Sequence, residues 1–186
     1  MIFIGLGNPG IKYKETRHNV GFKIIDSLKK KSKIIEIYKK KLFNGWKILI
    51  ESKEIIILKP KTYMNESGIA VKSAIEFFNQ NIENLFVIHD DMDIELGKLK
   101  IVKDKGPGGH KGVISIIENI GTNNFFRIRI GIGRPPEGTS PIDYVLSPFL
   151  PSELELIKNG LEKAEKAIEE IVKSNVEKAM SLYNKS

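Results

Sequence analysis

Short, wholly apolar runs alternate along this chain with stretches whose apolar residues recur every three or four positions. That alternation points to one fold class. The segments "MIFIG" at the start, "EIIILKP" near residue 57 and "NLFVIHDD" near residue 87 are too short for helices and read as buried strands. Between the first two, Val20, Ile24, Ile25 and Leu28 repeat at helical spacing up to the lysine-rich stretch 29–33, with Thr16 in position to cap the helix. "FNGWKILIES" and "EIIILKP" read as two strands of a hairpin turning near Ser52–Lys53. Thr62 through Gln80 reads as helix with Ile69, Val71, Ala74, Ile75 and Phe78 inward. "GKLKIVK" is an alternating strand suited to a sheet edge, "GPGGHKG" a loop before a helix over residues 113–120, and "FFRIRIGIGRP" a further alternating strand followed by the loop "PPEGTSP". Interleaved strands and helices predict an α/β domain with a mostly parallel, mixed sheet.

From Pro151 the chain reads as helical. Leu154, Ile157, Leu161, Ala164, Ile168 and Ile171 form an apolar stripe with Lys and Glu outside it. Barely three heptads favour a helix packed on the chain's own sheet over a coiled-coil seam. The 186 residues show no repeat and no linker, so one domain over 1–186 is expected.

Composition excludes several chemistries. The chain has no cysteine, which rules out disulfides, thiolate nucleophiles and cysteine zinc sites. Apolar runs are too short to span a bilayer and the first residues read as a strand, not a signal peptide, so no membrane is expected and the protein is read as cytoplasmic. The net charge of +7 invites a polyanionic partner. All but four of the 30 basic residues are lysine, however, and an excess of that kind can reflect genome composition. Charge alone does not decide between nucleic acid and none.

Two glycine-rich segments imitate nucleotide-binding motifs. "GLGNPG" matches G-x-G-x-x-G after a strand, but helical periodicity begins only after Thr16, where a dinucleotide fold needs the helix to start within the motif. Asp26 also falls inside the helix and not at the end of a second strand. In "GPGGHKG", Gly112 follows Lys111 where a phosphate loop needs Ser or Thr.

Polar residues follow three of the strands: Asn8, Asn65 and Asp90. In open α/β sheets the strands' carboxyl ends build the site, and His18 joins from the loop after the first strand. A neutral imidazole near a helix N-terminus can take a proton from water, and a carboxylate such as Asp90 can hold its other ring N–H. Asn65 can donate to an oxyanion. The plain alternatives stand beside this: a histidine at a helix start is commonly a capping or surface residue, and Asn8 can serve its turn alone. His89, Asp90, Asp91 and Asp93 in "HDDMD" could instead hold a divalent cation, although acids after a strand are commonly just solvated.

The segments "GLGNPGIKYKETRHNVGF", "KPKTYMNESG", "HDDMDIELGKLKI", "GPGGHKGVISI" and "FFRIRIGIGRP" together resemble the bacterial peptidyl-tRNA hydrolase family, in the family's order and over essentially the whole chain. The resemblance implies a monomeric, metal-free esterase without cofactor and with a three-layer α/β/α fold, the C-terminal helices packed on the sheet. It cleaves the ester joining a peptide to the 3′ end of tRNA. By matching motifs, it implies His18 as catalytic base and Asp90 as its orienting partner. Asn8 and Asn65 would hold the substrate near the attacking water. Met64 would be a wall of the peptide channel, Tyr13 a residue near the tRNA 3′ end and His110 a substrate contact. Lys100 and Arg129 would meet the 5′ phosphate and acceptor stem, and loops 106–112 and after Gly133 would cover the cleft. Two positions depart from the family. Lys111 stands where many members have Asn, and Val102 where some have a basic residue that Lys98 or Lys103 could replace. Three other classes compete: an RNA-binding protein without activity, a nucleotide-dependent enzyme using "GLGNPG", and a metal hydrolase using the "HDDMD" acids.

Overall fold

In a computed structural model, which describes residues 1–184, strand β1 (Ile2–Gly5) is buried at every position. Its alternate side chains enter opposite layers. Ile2 and Ile4 share a core with Val71, Ala74, Val113 and Ile116, on helices α2 (Ser67–Phe77) and α3 (Lys111–Ile120). Phe3 shares the other core with Ile24, Ile25, Ile168 and Val172, on helices α1 (Val20–Lys31) and α5 (Leu154–Lys173). The layer between is a seven-stranded sheet. Its remaining strands are β2 (Lys33–Lys39), β3 (Phe43–Ile50), β4 (Lys53–Pro60), β5 (Leu85–Asp91), β6 (Leu99–Lys103) and β7 (Phe126–Gly131). The order is β2-β3-β4-β1-β5-β7-β6. β3 and β6 run against the other five strands, so the sheet is mixed and mostly parallel, as the sequence predicts. β6 takes the edge expected of "GKLKIVK".

The order places the site. β1 pairs in parallel with β4 on one side and with β5 on the other, so the chain reverses its direction of winding at β1. The crevice beyond the carboxyl ends of β1 and β5 is where such folds bind ligands. Helix α1 reaches that crevice because two glycines let it touch the sheet. A Cβ on Gly21 would lie 2.5 Å from the Ile88 carbonyl oxygen, and one on Gly5 would lie 2.2 Å from the Gly21 oxygen. Gly21→Ala is therefore expected to lift the start of α1 off β5 and destabilise the fold by about 1–3 kcal/mol, the usual cost of overpacking. A fall in thermal midpoint of at least about 2 °C is expected for a chain of this size, read by calorimetry.

Several expectations need correction. The hairpin turns at Glu51–Ser52, both at positive φ as a tight hairpin turn requires, with Lys53 already in β4. Strand β2 was not foreseen. Ile34, Ile35 and Ile37 are exposed on this edge strand, and a register shift between Ile34 and Glu36 breaks the alternation that would reveal it. Helix α2 is shorter than residues 62–80, being preceded by a 3-10 turn over Met64–Glu66. Ile69 faces solvent, because α2 presents Gly68 to α3, where a Cβ would lie 2.0 Å from the Ser115 oxygen. Thr16 stands at the cap position of a 3-10 turn, but its hydroxyl donates to the Tyr13 carbonyl (2.8 Å) and accepts from no helix N–H. In the C-terminal stripe, Leu154 is exposed at the first position of α5, while Ile157, Ala164, Ile168 and Ile171 are buried against the sheet. Two further helices, α4 (Pro141–Leu146) and α6 (Val176–Tyr183), complete the chain, and α4 fell in a region without a predicted element.

Candidate active site

The crevice is built from groups that the backbone holds in place. After β1, Leu6 N–H still bonds to the Ile88 carbonyl (2.9 Å), and the chain then turns out through Asn8. Asn8 is tied to Asn19 twice, its N–H donating to Asn19 Oδ1 (2.8 Å) and its carbonyl accepting from Asn19 Nδ2 (3.0 Å). Asn8 Oδ1 accepts the Met64 N–H (2.8 Å). With its oxygen so engaged, the Asn8 side chain turns its NH2 group outward as the remaining donor.

Asn19 closes a 3-10 turn over Arg17–Asn19, and His18 is the middle residue of that turn. His18 Nδ1 lies 2.8 and 2.9 Å from the two oxygens of Asp90, at the end of β5. His110, from the glycine-rich loop, approaches the same carboxylate with Nε2 at 3.0 Å from Asp90 Oδ1. Burial pushes the Asp90 carboxyl up. The two imidazoles outweigh this by charge and hydrogen bonding, and hold it well below the usual carboxylate range. An ionised Asp90 only accepts, so His18 donates to it from Nδ1, and in the neutral ring the lone pair lies on Nε2. The tautomer of His110 follows in the same way. Its Nδ1 caps α3 by accepting from Val113 N–H (3.3 Å), so its Nε2 carries the proton given to Asp90.

These groups open on one cavity of about 630 Å³. Asn8, His18, Met64, Asn65, Asp90, His110 and Lys111 all line it. Asn65 and Lys111 are exposed, and neither side chain has a protein partner among the described residues. Helix α4 contributes Ile142, Val145 and Leu146 to the cavity wall, together with Met64 and Met92. The lining thus combines a base and polar groups with apolar side chains. An arrangement with a neutral base, free amide donors and no nucleophilic side chain on the base suits attack by water on an acyl group.

A family model described as peptidyl-tRNA hydrolase matches residues 2–186. The chain belongs to the peptidyl-tRNA hydrolase family. The peptidyl-tRNA hydrolase of Thermodesulfovibrio yellowstonii is 46% identical over all of this chain and 99% of its own length. That of Kosmotoga olearia is also 46% identical, over 99% of this chain and 97% of its own. The crystal structure of peptidyl-tRNA hydrolase from Acinetobacter baumannii superposes with a TM-score of 0.91 at 32% identity, covering 98% of this chain and 93% of that one. The reaction of the family, hydrolysis of the ester of peptidyl-tRNA, is the one the sequence reading anticipates.

Three anticipated peptidyl-tRNA hydrolase residues do not line this cleft. Tyr13 ends a 3-10 turn over Ile11–Tyr13 and packs edge-on against Tyr63, which does line it, with ring centroids 6.4 Å apart. Lys100 and Arg129 are cross-strand neighbours on β6 and β7, outside the cavity. Arg129 is bonded to Asp91 (2.6 Å). The "HDDMD" residues do not converge as a cation site. His89 turns into the core, Asp91 takes Arg129 and Asp93 takes Arg134. Among the described residues, the one cluster with ligand-type spacing is His18, Asp90 and His110, whose atoms are already hydrogen-bonded to one another.

Sequence reasoning missed the α4 wall, although Ser140 before Pro141 is a helix-start signal and Ser140 does cap α4. It also missed that Arg127 is buried and donates to the Gly106 carbonyl (2.9 Å), anchoring the loop that carries His110.

His89 supports the site from behind. Its Nδ1 donates to the Asp90 carbonyl (2.6 Å), its Nε2 is buried without a partner, and its ring lies 4.6 Å from that of His110. Burial, then the neighbouring His110, push the His89 imidazole well below its ordinary range. The unfolded chain binds this proton near pH 6.5 and the folded chain does not. The neutral His89 therefore contributes stability above about pH 6.5 that is lost as pH falls below it, with a slope of up to about 1.4 kcal/mol per pH unit. Denaturant titrations between pH 7.5 and 5.5 should show this loss, and His89→Leu should flatten it.

Proposed function

We propose that His18 is the general base of peptidyl-tRNA hydrolysis, with Asp90 as its orienting partner. The observation that carries this reading is the His18–Asp90 pair opening on the same cavity as Asn8 and Asn65. Water gives a proton to His18 Nε2 and its oxygen attacks the ester carbonyl. The Asn8 and Asn65 amides donate to the oxyanion. Collapse breaks the bond to the ribose oxygen, which leaves with the proton from His18. Asp90 stays ionised throughout and stabilises the imidazolium. An ester leaving group is good enough for one base and two donors.

The peptide lies along Met64 and the α4 wall, with His110 and Lys111 on its substrate side, and Tyr13 meets the tRNA 3′ end. Lys100 and Arg129 meet the acceptor stem and its 5′ phosphate, and the loops 106–112 and after Gly133 close over the cleft. The protein acts as a cytoplasmic monomer, with residues 1–186 as one domain.

Cleavage of N-acetyl-aminoacyl-tRNA against free-amine aminoacyl-tRNA, both in chelator, tests this reading. Cleavage of the blocked ester alone is expected. No cleavage in chelator would return the metal reading, and binding of tRNA without cleavage of either ester would return the RNA-binding one. A steep fall of tRNA affinity with salt is also expected, since each phosphate contact contributes about −0.7 to −0.9 to the log–log slope. The single-turnover rate at saturating enzyme should stay constant across the same salt series.

A further inference from the structure

The side chain that precedes His18 is firmly tethered and takes no part in the chemistry. Arg17 precedes His18, is 3% exposed and does not line the cleft. Its guanidinium points the other way. Nη2 donates to Glu153 Oε2 (2.6 Å), and the plane is held between the rings of Tyr144 (4.3 Å) and Phe149 (4.7 Å). Its backbone N–H donates to the Ser147 carbonyl (3.0 Å), and Thr16 forms an isolated bridge with Pro148. Glu153 Oε2 also accepts the Leu150 N–H (2.6 Å), so one carboxylate closes the 150–153 turn and receives Arg17.

Such a pair is a poor device for stability. Burying a guanidinium is costly, and Arg17 Nη1 is left buried without a partner. What the contacts do provide is position. Tyr144 lies on α4, whose other residues Ile142, Val145 and Leu146 form the cleft wall, and its hydroxyl donates to the Ile132 carbonyl (2.6 Å) beyond β7. Arg17 therefore joins the turn carrying His18 to the α4 wall of the same cavity, while Asn19 joins the same turn to Asn8.

We infer that Arg17 is a positioning residue for the hydrolysis, holding His18 against Asp90 through its clamp on Glu153, Tyr144 and Phe149. This rests on His18 being the base. A base displaced by about 1 Å loses up to about 10²-fold in rate.

The test uses Arg17→Met, which keeps an unbranched stem between the two rings, Arg17→Lys, and Glu153→Gln, which keeps an acceptor for Leu150 N–H. Each is assayed on N-acetyl-aminoacyl-tRNA well below its own unfolding midpoint, beside His18→Ala. For the Arg17 variants, kcat should fall about 10- to 100-fold with KM within about threefold. Glu153→Gln should fall less. Should an Arg17 variant not fold, Glu153→Gln carries the same readout of kcat against KM. An unchanged kcat, or a KM that rises as much as kcat falls, would overturn the assignment. If His18→Ala itself kept full activity, the reading of the base would fail instead.

Discussion

Replacing His18 by alanine should lower kcat by about 10²–10⁴-fold, the range for loss of a positioned general base. Affinity for deacylated tRNA should stay essentially unchanged. The variant removes one of the two rings that touch Asp90. His110 still donates to Asp90, and the backbone of the His18 turn is held independently through Asn19 and the 147–148 segment. Binding through lysines elsewhere on the surface has no reason to change. Single-turnover cleavage of N-acetyl-aminoacyl-tRNA and filter binding of deacylated tRNA measure the two quantities separately. A variant retaining more than about a tenth of the rate would lie outside the range for a base and would point to His110, the other imidazole on Asp90.

Asp90→Asn should be comparably severe, at about 10²–10⁴-fold in kcat, for a different reason. Asp90 accepts from two imidazole N–H groups at once. Asn offers one acceptor and one NH2, so one ring must turn or change tautomer. If His18 yields, its Nε2 carries the proton and cannot take one from water. Here the geometry survives while the chemistry is lost. The circular dichroism spectrum should stay close to that of the parent protein, while the neutral-pH melting midpoint should fall, because the variant lacks the stability that the ionised carboxylate contributes. The acid limb of stability should change, however. The native Asp90 carboxyl titrates below its unfolded value, so the charged form contributes stability above about pH 4 that is lost as pH falls further. The Asn variant lacks that loss. Denaturant titrations at pH 5, 4 and 3 on both proteins check it, and a parallel slope in the two would count against Asp90 as an ionised acceptor.

Much of the site was legible because its parts follow strands. Asn8 and Asn65 follow, and Asp90 ends, strand segments whose apolar character is unmistakable, and His18 lies where helical periodicity begins. All four line one cavity. The role of Asn8 was only half legible. Its backbone tie to Asn19 belongs to the turn, as the plain reading held, and a separate bond from Met64 N–H to its side-chain oxygen turns its amide NH2 to the cleft. The α4 wall was overlooked because a six-residue helix gives fewer than two turns of periodicity to read. Strand β2 was hidden by its bulge, and Ile69 was misplaced because a glycine–helix contact, not hydrophobicity, sets the rotation of α2.

Hydrophobic period, capping residues and residue type act over a few positions, and they were enough to specify the α/β class, most of the elements and the identity of the chemical groups. They could not specify that one carboxylate serves two histidines 72 and 20 residues away. Nor could they show that Lys100 and Arg129 stand outside the cleft, or that Arg17 turns its back on it toward Glu153. Those facts depend on distances between segments remote in the chain. The order of strands in the sheet and the closeness of helix to strand at Gly5 and Gly21 set such distances, and no local pattern encodes them.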